Sequence, residues 1–470
     1  MTRVQKKQAV STQSVPNDLK LIRLTWPIFL EVFLFMLVGS VDTFMISGVS
    51  DDAVAGVGAS NQIITIAILV LEVIGNGAAI VIAQYIGSKK LYEAAKISAV
   101  AITLNLMVGI SLSLIFILFG GFMLQAMNLH GDIYVYAKTY LLIVGGGIFL
   151  QALINILAAI IRTYGYTKHT MLVSVLLNIL HLLFNYMFIF GHFGFSAMGV
   201  EGAAISNISS RFICLIIFFI LFYHLMDVRL KIKDYLTLTK SYVIKIFNIG
   251  IPSAVEQITY QCCQLVFFFY ATYLGAEAMA TRQYAVNISM YIYLFSVAVS
   301  MGTAIITGRL VGAKEPVEAY RRVRQSVKWS LLVTIVMDII IIAAREPLFG
   351  LFTTNADIIK LGSEVILFSI LLETGRTGNI IMINSLRAAG DAKFPLYMGL
   401  ISMVGVSLPL GYFLVFHLNM GLPGIWIANA ADEWIRAITM HFRWKNGAWQ
   451  KYSLVDDDKK EANSKPATVH

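Results

Sequence analysis

The chain has 470 residues, 58% hydrophobic and 13% charged, with a mean hydropathy of +0.74. A soluble domain carries about twice that share of charge, which excludes a soluble globular protein and leaves a polytopic membrane protein. The net charge of +9 points only weakly to a nucleic-acid partner, and none is expected; in a membrane chain such an excess marks the cytoplasmic loops.

The first twenty residues are polar and basic and lead directly into a full-length apolar span, so no cleavable signal peptide is read. That first span, from Leu21 to Ser47, contains Pro27, Glu31 and Asp42. Pro27 lacks the N–H that its turn requires, so a bend or hinge is expected there. Glu31 and Asp42 are eleven residues apart, three helical turns, which puts both carboxylates on one face about 16 Å apart along the axis. Eleven further hydrophobic segments follow, at about 55–86, 93–119, 133–161, 169–190, 200–224, 242–273, 278–310, 319–344, 357–386, 394–416 and 422–442. The predicted class is therefore an all-α polytopic protein of twelve transmembrane helices. Cys214, Cys262 and Cys263 lie in apolar runs without metal-ligand spacing.

Alternate loops are basic. They are GSKKLYEAAK after segment 2, RTYGYTKH after segment 4, the long connection before segment 7, GAKEPVEAYRRVR after segment 8 and RAAGDAKF after segment 10. The positive-inside rule makes this set cytoplasmic, with both termini inside and the protein in the cell membrane. The polar ends, about 1–20 and 451–470, are expected to be disordered.

An ungapped shift of 225 residues aligns Pro27 with Pro252, Glu31 with Glu256, Gly77 with Gly302 and Gly87 with Gly312. It also aligns Lys89 with Lys314, Arg162 with Arg387, Gly165 with Gly390, Gly199 with Gly424 and Arg211 with Arg436. Six spans per repeat give both halves the same topology, so the pseudo-twofold axis is expected along the membrane normal. The domains are then a tail (1–20), an N-lobe (21–225), a linker (226–241), a C-lobe (242–444) and a second tail (445–470).

The polar residues within the spans fall into two groups. Asn178, His181 and Asn185 share one face of segment 5, and Asp42, Asn185 and Asn207 lie at similar depths below the outer ends of their helices. A carboxylate, amides and an imidazole suit a proton, or Na⁺ with oxygen ligands. The alternative is a satisfied polar cluster that holds helices together. In the C-lobe, Glu256, Tyr260 and Gln261 lie in segment 7, Tyr284 in segment 8, and Glu373 and Arg376 in segment 10. With Glu31 these could line a substrate cavity, although Glu373 and Arg376, like Asp432 and Arg436, are spaced to pair within one helix. Asp338 in segment 9 has no evident role. No catalytic triad, phosphate-binding loop or metal cluster is present, so no enzyme activity, metal or cofactor is expected.

On Pro27 with Asp42, VDTFMISGVSDDAVAGVG from Val41, AQYIGSKKLYEA from Ala83, MGVEGAAISN from Met198 and NSLRAAGDAKFP from Asn384, the chain resembles the multidrug and toxic compound extrusion (MATE) transporters over about residues 20–440. The resemblance implies two six-helix lobes around a central cavity and export of amphipathic, mostly cationic compounds against H⁺ or Na⁺. It also implies an N-lobe cation site. Asp42 matches the family's segment 1 carboxylate, while His181 stands where the family has Asn, Asn185 where it has Asp and Asn207 where it has Thr. The acidic C-lobe positions of other branches read Tyr260 and Arg376 here, so that C-lobe site is expected to be absent. The expected protein is a monomer whose partners are small organic substrates and membrane lipid. The alternative within the superfamily is a flippase for a lipid-linked precursor, which would call for a strongly basic cavity.

Overall fold

Apolar runs of this length have one stable form in hydrocarbon, because a helix satisfies its own backbone N–H and C=O groups. The computed structural model describes residues 20–226 and 230–455, and these are helical almost throughout. The expected disordered ends at 1–19 and 456–470 lie outside the described residues.

The first half contains α1 (Leu21–Ser47), α2 (Asp51–Gly87), α3 (Leu91–Ala126), α4 (131–163), α5 (Thr167–Phe190) and α6 (Gly199–Leu225). The second contains α7 (Lys240–Tyr273), α8 (Ala276–Gly312), α9 (Pro316–Ala343), α10 (356–388), α11 (Lys393–His417) and α12 (Leu422–Lys445). Pro27 lies inside a continuous α1, and Pro252 inside a continuous α7. Eight of these helices are long and apolar enough to cross a bilayer, and α4, bent by 47° at Gly146 and Gly147, makes a ninth. The other three, α7, α10 and α12, are the ones that carry Glu256, then Glu373 and Arg376, then Asp432, Glu433 and Arg436.

The helices form two lobes, α1–α6 and α7–α12, and the duplication is visible in how these meet. Between the lobes α2 packs on α7, α1 on α8, and α2 on α8. A Cβ on Gly87 would lie 1.9 Å from the Arg309 carbonyl oxygen, and one on Gly312 would lie 1.9 Å from that of Gln84. Gly77 abuts Ile246, while Gly302 abuts Leu21 and Thr25. The Gln84 amide donates to the Ala388 carbonyl at 2.7 Å, and Arg309 donates to the Thr163 carbonyl at 2.6 Å. Each contact maps onto its mate under the 225-residue shift, as an isologous interface about a twofold axis requires. Even the turns repeat: Lys89 and Lys314 have φ of 60° and 61°, and Gly165 and Gly390 have φ of 94° and 98°.

This seam sits at the end of the molecule that carries the basic loops. Of the interlobe contacts named here, the one farthest from that end is the edge-to-face pair Phe29–Phe295, with centroids 6.2 Å apart.

The expectation of disorder from residue 451 fails for 451–455. Trp449 stacks on Trp444 with centroids 4.3 Å apart, the Leu454 N–H donates to Gln84 Oε1 at 2.8 Å, and Leu454 and Val455 are buried against the N-lobe core. Three apolar side chains within otherwise polar sequence are enough to seat this segment between Trp444 of α12 and the N-lobe core.

The seam predicts paired effects. Alanine at Gly87 or at Gly312 must push main chain apart, so each should lower stability by a similar amount, about 1–3 kcal/mol. Thermal unfolding in detergent measures this. Gly75→Ala is the control: open space surrounds that site, and it should melt at or slightly above the wild-type temperature.

Candidate functional site

Asp42 comes from the last turns of α1 and meets the polar face of α5. Its Oδ1 accepts a hydrogen bond from the Asn185 amide nitrogen at 2.8 Å, and its Oδ2 lies 3.4 Å from His181 Nδ1. The sequence makes this junction possible because His181 and Asn185 are four residues apart, one above the other on the same helix face. The Asp42 side chain is 25% exposed and that of His181 9%. Both border a cavity of about 170 Å³ that is also lined by Asn61, Gly58, Tyr140 and Ala203. The His181 carbonyl is tied by Ser206 Oγ at 2.9 Å, which fixes α5 against α6.

The arrangement gives one carboxylate a nitrogen on each oxygen, in a small pocket with wet access. Such a group can exchange a proton or a hard cation and change its helix contacts as it does so. Asn178 and Asn207 are not drawn into contact with it. Asn207 shares its depth, but its Oδ1 is buried without a partner, and Ala203, one turn away, faces the cavity instead. Counting residues from a helix end gives height but not azimuth.

One contributor escaped the sequence. Arg211 of α6 acts electrostatically on Asp42, Tyr140 and His181, and its Nη1 is buried with no hydrogen-bond partner. Asp42 therefore has a cationic neighbour on α6. The available signal was the match of Arg211 with Arg436, since a duplicated intramembrane arginine is rarely idle.

The remaining candidates divide by lobe. Glu31 accepts from Arg162 Nη1 at 2.9 Å and Ser174 Oγ at 3.0 Å. Its counterpart Glu256 is bound by Arg387 and, at 3.2 Å, by Arg436. The repeat thus conserves a complete ion pair, α1–α4 in one lobe and α7–α10 in the other. Arg436 also holds Asp432 at 2.7 Å and Glu433 at 3.3 Å. Glu373 and Arg376 pair at 2.8 Å, and Arg376 stacks over the Tyr293 ring at 4.8 Å. Tyr260 lies in electrostatic reach of Arg376, and Gln261 is exposed. Tyr284 stacks on Phe352 at 5.1 Å.

Two like-oriented six-helix repeats in one membrane chain are an architecture that transporters share. The MatE family model matches residues 27–187 and again 252–413, the two repeats in the same register. The chain is 42% identical over 448 residues to the uncharacterised transporter YisQ of Bacillus subtilis, covering 94% of this chain and 98% of that one. It is 30% identical to the probable multidrug resistance protein NorM of Thermotoga maritima, covering 96% and 97%. Its fold matches the outward-facing conformation of a multidrug resistance MATE family transporter with a TM-score of 0.84, at 19% identity, covering 92% and 96%. The chain belongs to the MATE family of efflux transporters.

The duplicated pair can be tested by removing charge. Glu256→Gln leaves two guanidiniums without their shared carboxylate in a site only 8% exposed and should lower stability by about 3 kcal/mol. Glu31→Gln, in a wetter site with one guanidinium, should lower it by less. Thermal unfolding of the two purified variants compares them directly.

Proposed function

We propose that this protein exports amphipathic, mostly cationic organic compounds across the cell membrane in exchange for an entering cation, by alternating access of the cleft between its lobes. The observation that carries this reading is the Asp42 carboxylate, held between Asn185 and His181 beside a small cavity within the N-lobe. Cation entry would neutralise Asp42, loosen its hold on α5 and let α1 flex at Pro27, releasing substrate outward. Both oxygens of Asp42 face nitrogen atoms rather than a shell of oxygens, which favours H⁺ over Na⁺ as the coupling ion at this site. Glu31, Arg376, Tyr260, Gln261 and the neighbouring aromatic faces are the proposed substrate contacts, with cation–π attraction suited to planar cations. Relatives named as probable multidrug resistance proteins support the substrate class. The C-lobe arginines Arg376, Arg387 and Arg436 are each paired with carboxylates, which argues against a lipid-phosphate flippase. The protein is proposed to act as a monomer without a cofactor, with both termini in the cytoplasm.

Asp42→Asn keeps the shape of the protonated side chain while removing its titration, so it should reach the membrane and retain some substrate binding. Its gradient-driven efflux in vesicles, normalised to protein, should fall to about a tenth of wild type or less. Full efflux by Asp42→Asn would place coupling elsewhere. His181→Ala should impair coupling less and shift its pH dependence. Imposing pH and Na⁺ gradients separately decides the ion: efflux driven by Na⁺ alone would overturn the proton reading. A reporter that fluoresces only in the cytoplasm, fused after His470, should be bright.

A further inference from the structure

Asp338 of α9 is 0% exposed, and neither of its carboxylate oxygens meets a hydrogen-bond donor. An ionised carboxylate so placed is strongly destabilising, and a protonated one would still hold an O–H with no acceptor. The protein's own groups satisfy neither form. The charged group that acts on it is Glu373 of α10, also 0% exposed, which spends Oε1 on Arg376 and leaves Oε2 without a partner.

One helical turn nearer the basic end lies a ring of three buried hydroxyls. Ser296 and Thr377 are 2.8 Å apart, Thr334 and Thr377 2.8 Å, and Ser296 and Thr334 3.2 Å. Thr334 and Asp338 are i, i+4 on α9, and Glu373 and Thr377 are i, i+4 on α10, so the carboxylates and the ring are stacked neighbours. One turn beyond Glu373 on its other side, Ser369 is 0% exposed and its hydroxyl is also unpartnered. Apart from the Arg376 guanidinium on Glu373 Oε1, the groups gathered here from three helices are oxygens, the ligands that a small hard cation takes.

The repeat supplies an internal control. The positions 225 residues earlier read Ser113, Ile148, Leu71, Gly109 and Ala152, where Gly109 packs directly against Ala152. The same fold closes in the N-lobe without a carboxylate and without the hydroxyl ring, so the polar set is not a requirement of the architecture.

We propose that Asp338 and Glu373, with Ser296, Thr334 and Thr377, form a second cation site in the C-lobe, selective for a small monovalent cation of the size of Na⁺. One of the two carboxylates is already shared with a guanidinium, so the local negative charge matches a single positive charge better than two. None of the five positions is among Tyr260 and Arg376, and the site is separate from Asp42, in the other lobe.

The test is equilibrium binding of radiolabelled sodium to the purified protein in detergent at fixed pH, with choline as the balancing cation. Wild type should bind sodium saturably, and Asp42→Asn should keep that binding, which separates this proposal from the coupling role of Asp42. Asp338→Asn should weaken the affinity by about tenfold or more, because it removes a charged oxygen ligand. Thr334→Val, which keeps shape and fold, should weaken it by a smaller factor and carries the test if Asp338→Asn does not fold. Absence of sodium binding by wild type, loss of it in Asp42→Asn, or unchanged binding in both C-lobe variants would overturn the proposal.

Discussion

A polar group inside a bilayer must find its partner within the protein, since no water is there to take its place. The helices of this protein are arranged around where those partners lie. Glu31 clamps α1 to α4 through Arg162, and Glu256 clamps α7 to α10 through Arg387, each as a side chain that would be strongly destabilising if left alone. The apolar residues supply most of the packed area, but they would accept many helix arrangements. The paired charges specify one.

Against that shared frame, the lobes differ where chemistry is proposed. The N-lobe places a carboxylate near the C-terminal end of α1, at a position that is the buried Phe267 in the C-lobe. The C-lobe places carboxylates on α9 and α10, where the N-lobe has Ser113 and Ile148. A duplicated scaffold lets such differences be read directly, because one half reports what the fold needs and the other reports what has been added to it.

Much of the architecture was legible in the sequence because rare residue types carry it. Glycine, proline, arginine and glutamate recurring in one register are informative in a chain otherwise built of interchangeable aliphatics. The face shared by His181 and Asn185 was also legible, since helical periodicity alone determines it. What could not be read was rotation of one helix about its axis relative to another. That is why Asn207 matched Asp42 in depth without touching it, and why the approach of Arg211 was invisible. The docking of Leu454 and Val455 was hidden for a different reason: a few apolar side chains in a polar tail are too weak a pattern to stand out until the groove that receives them is known.

Much of the seam between the lobes rests on main-chain atoms. Gly87 rests on a backbone carbonyl of α8 and Gly312 on one of α2, while the hydrogen bonds of Gln84 and Arg309 also end on carbonyl oxygens. Carbonyl groups are the same at every residue. Where a contact ends on such a carbonyl, the partner half can change its side chain without changing that contact, so the two halves of the gene can diverge in charge and ligand preference while this part of the junction is kept.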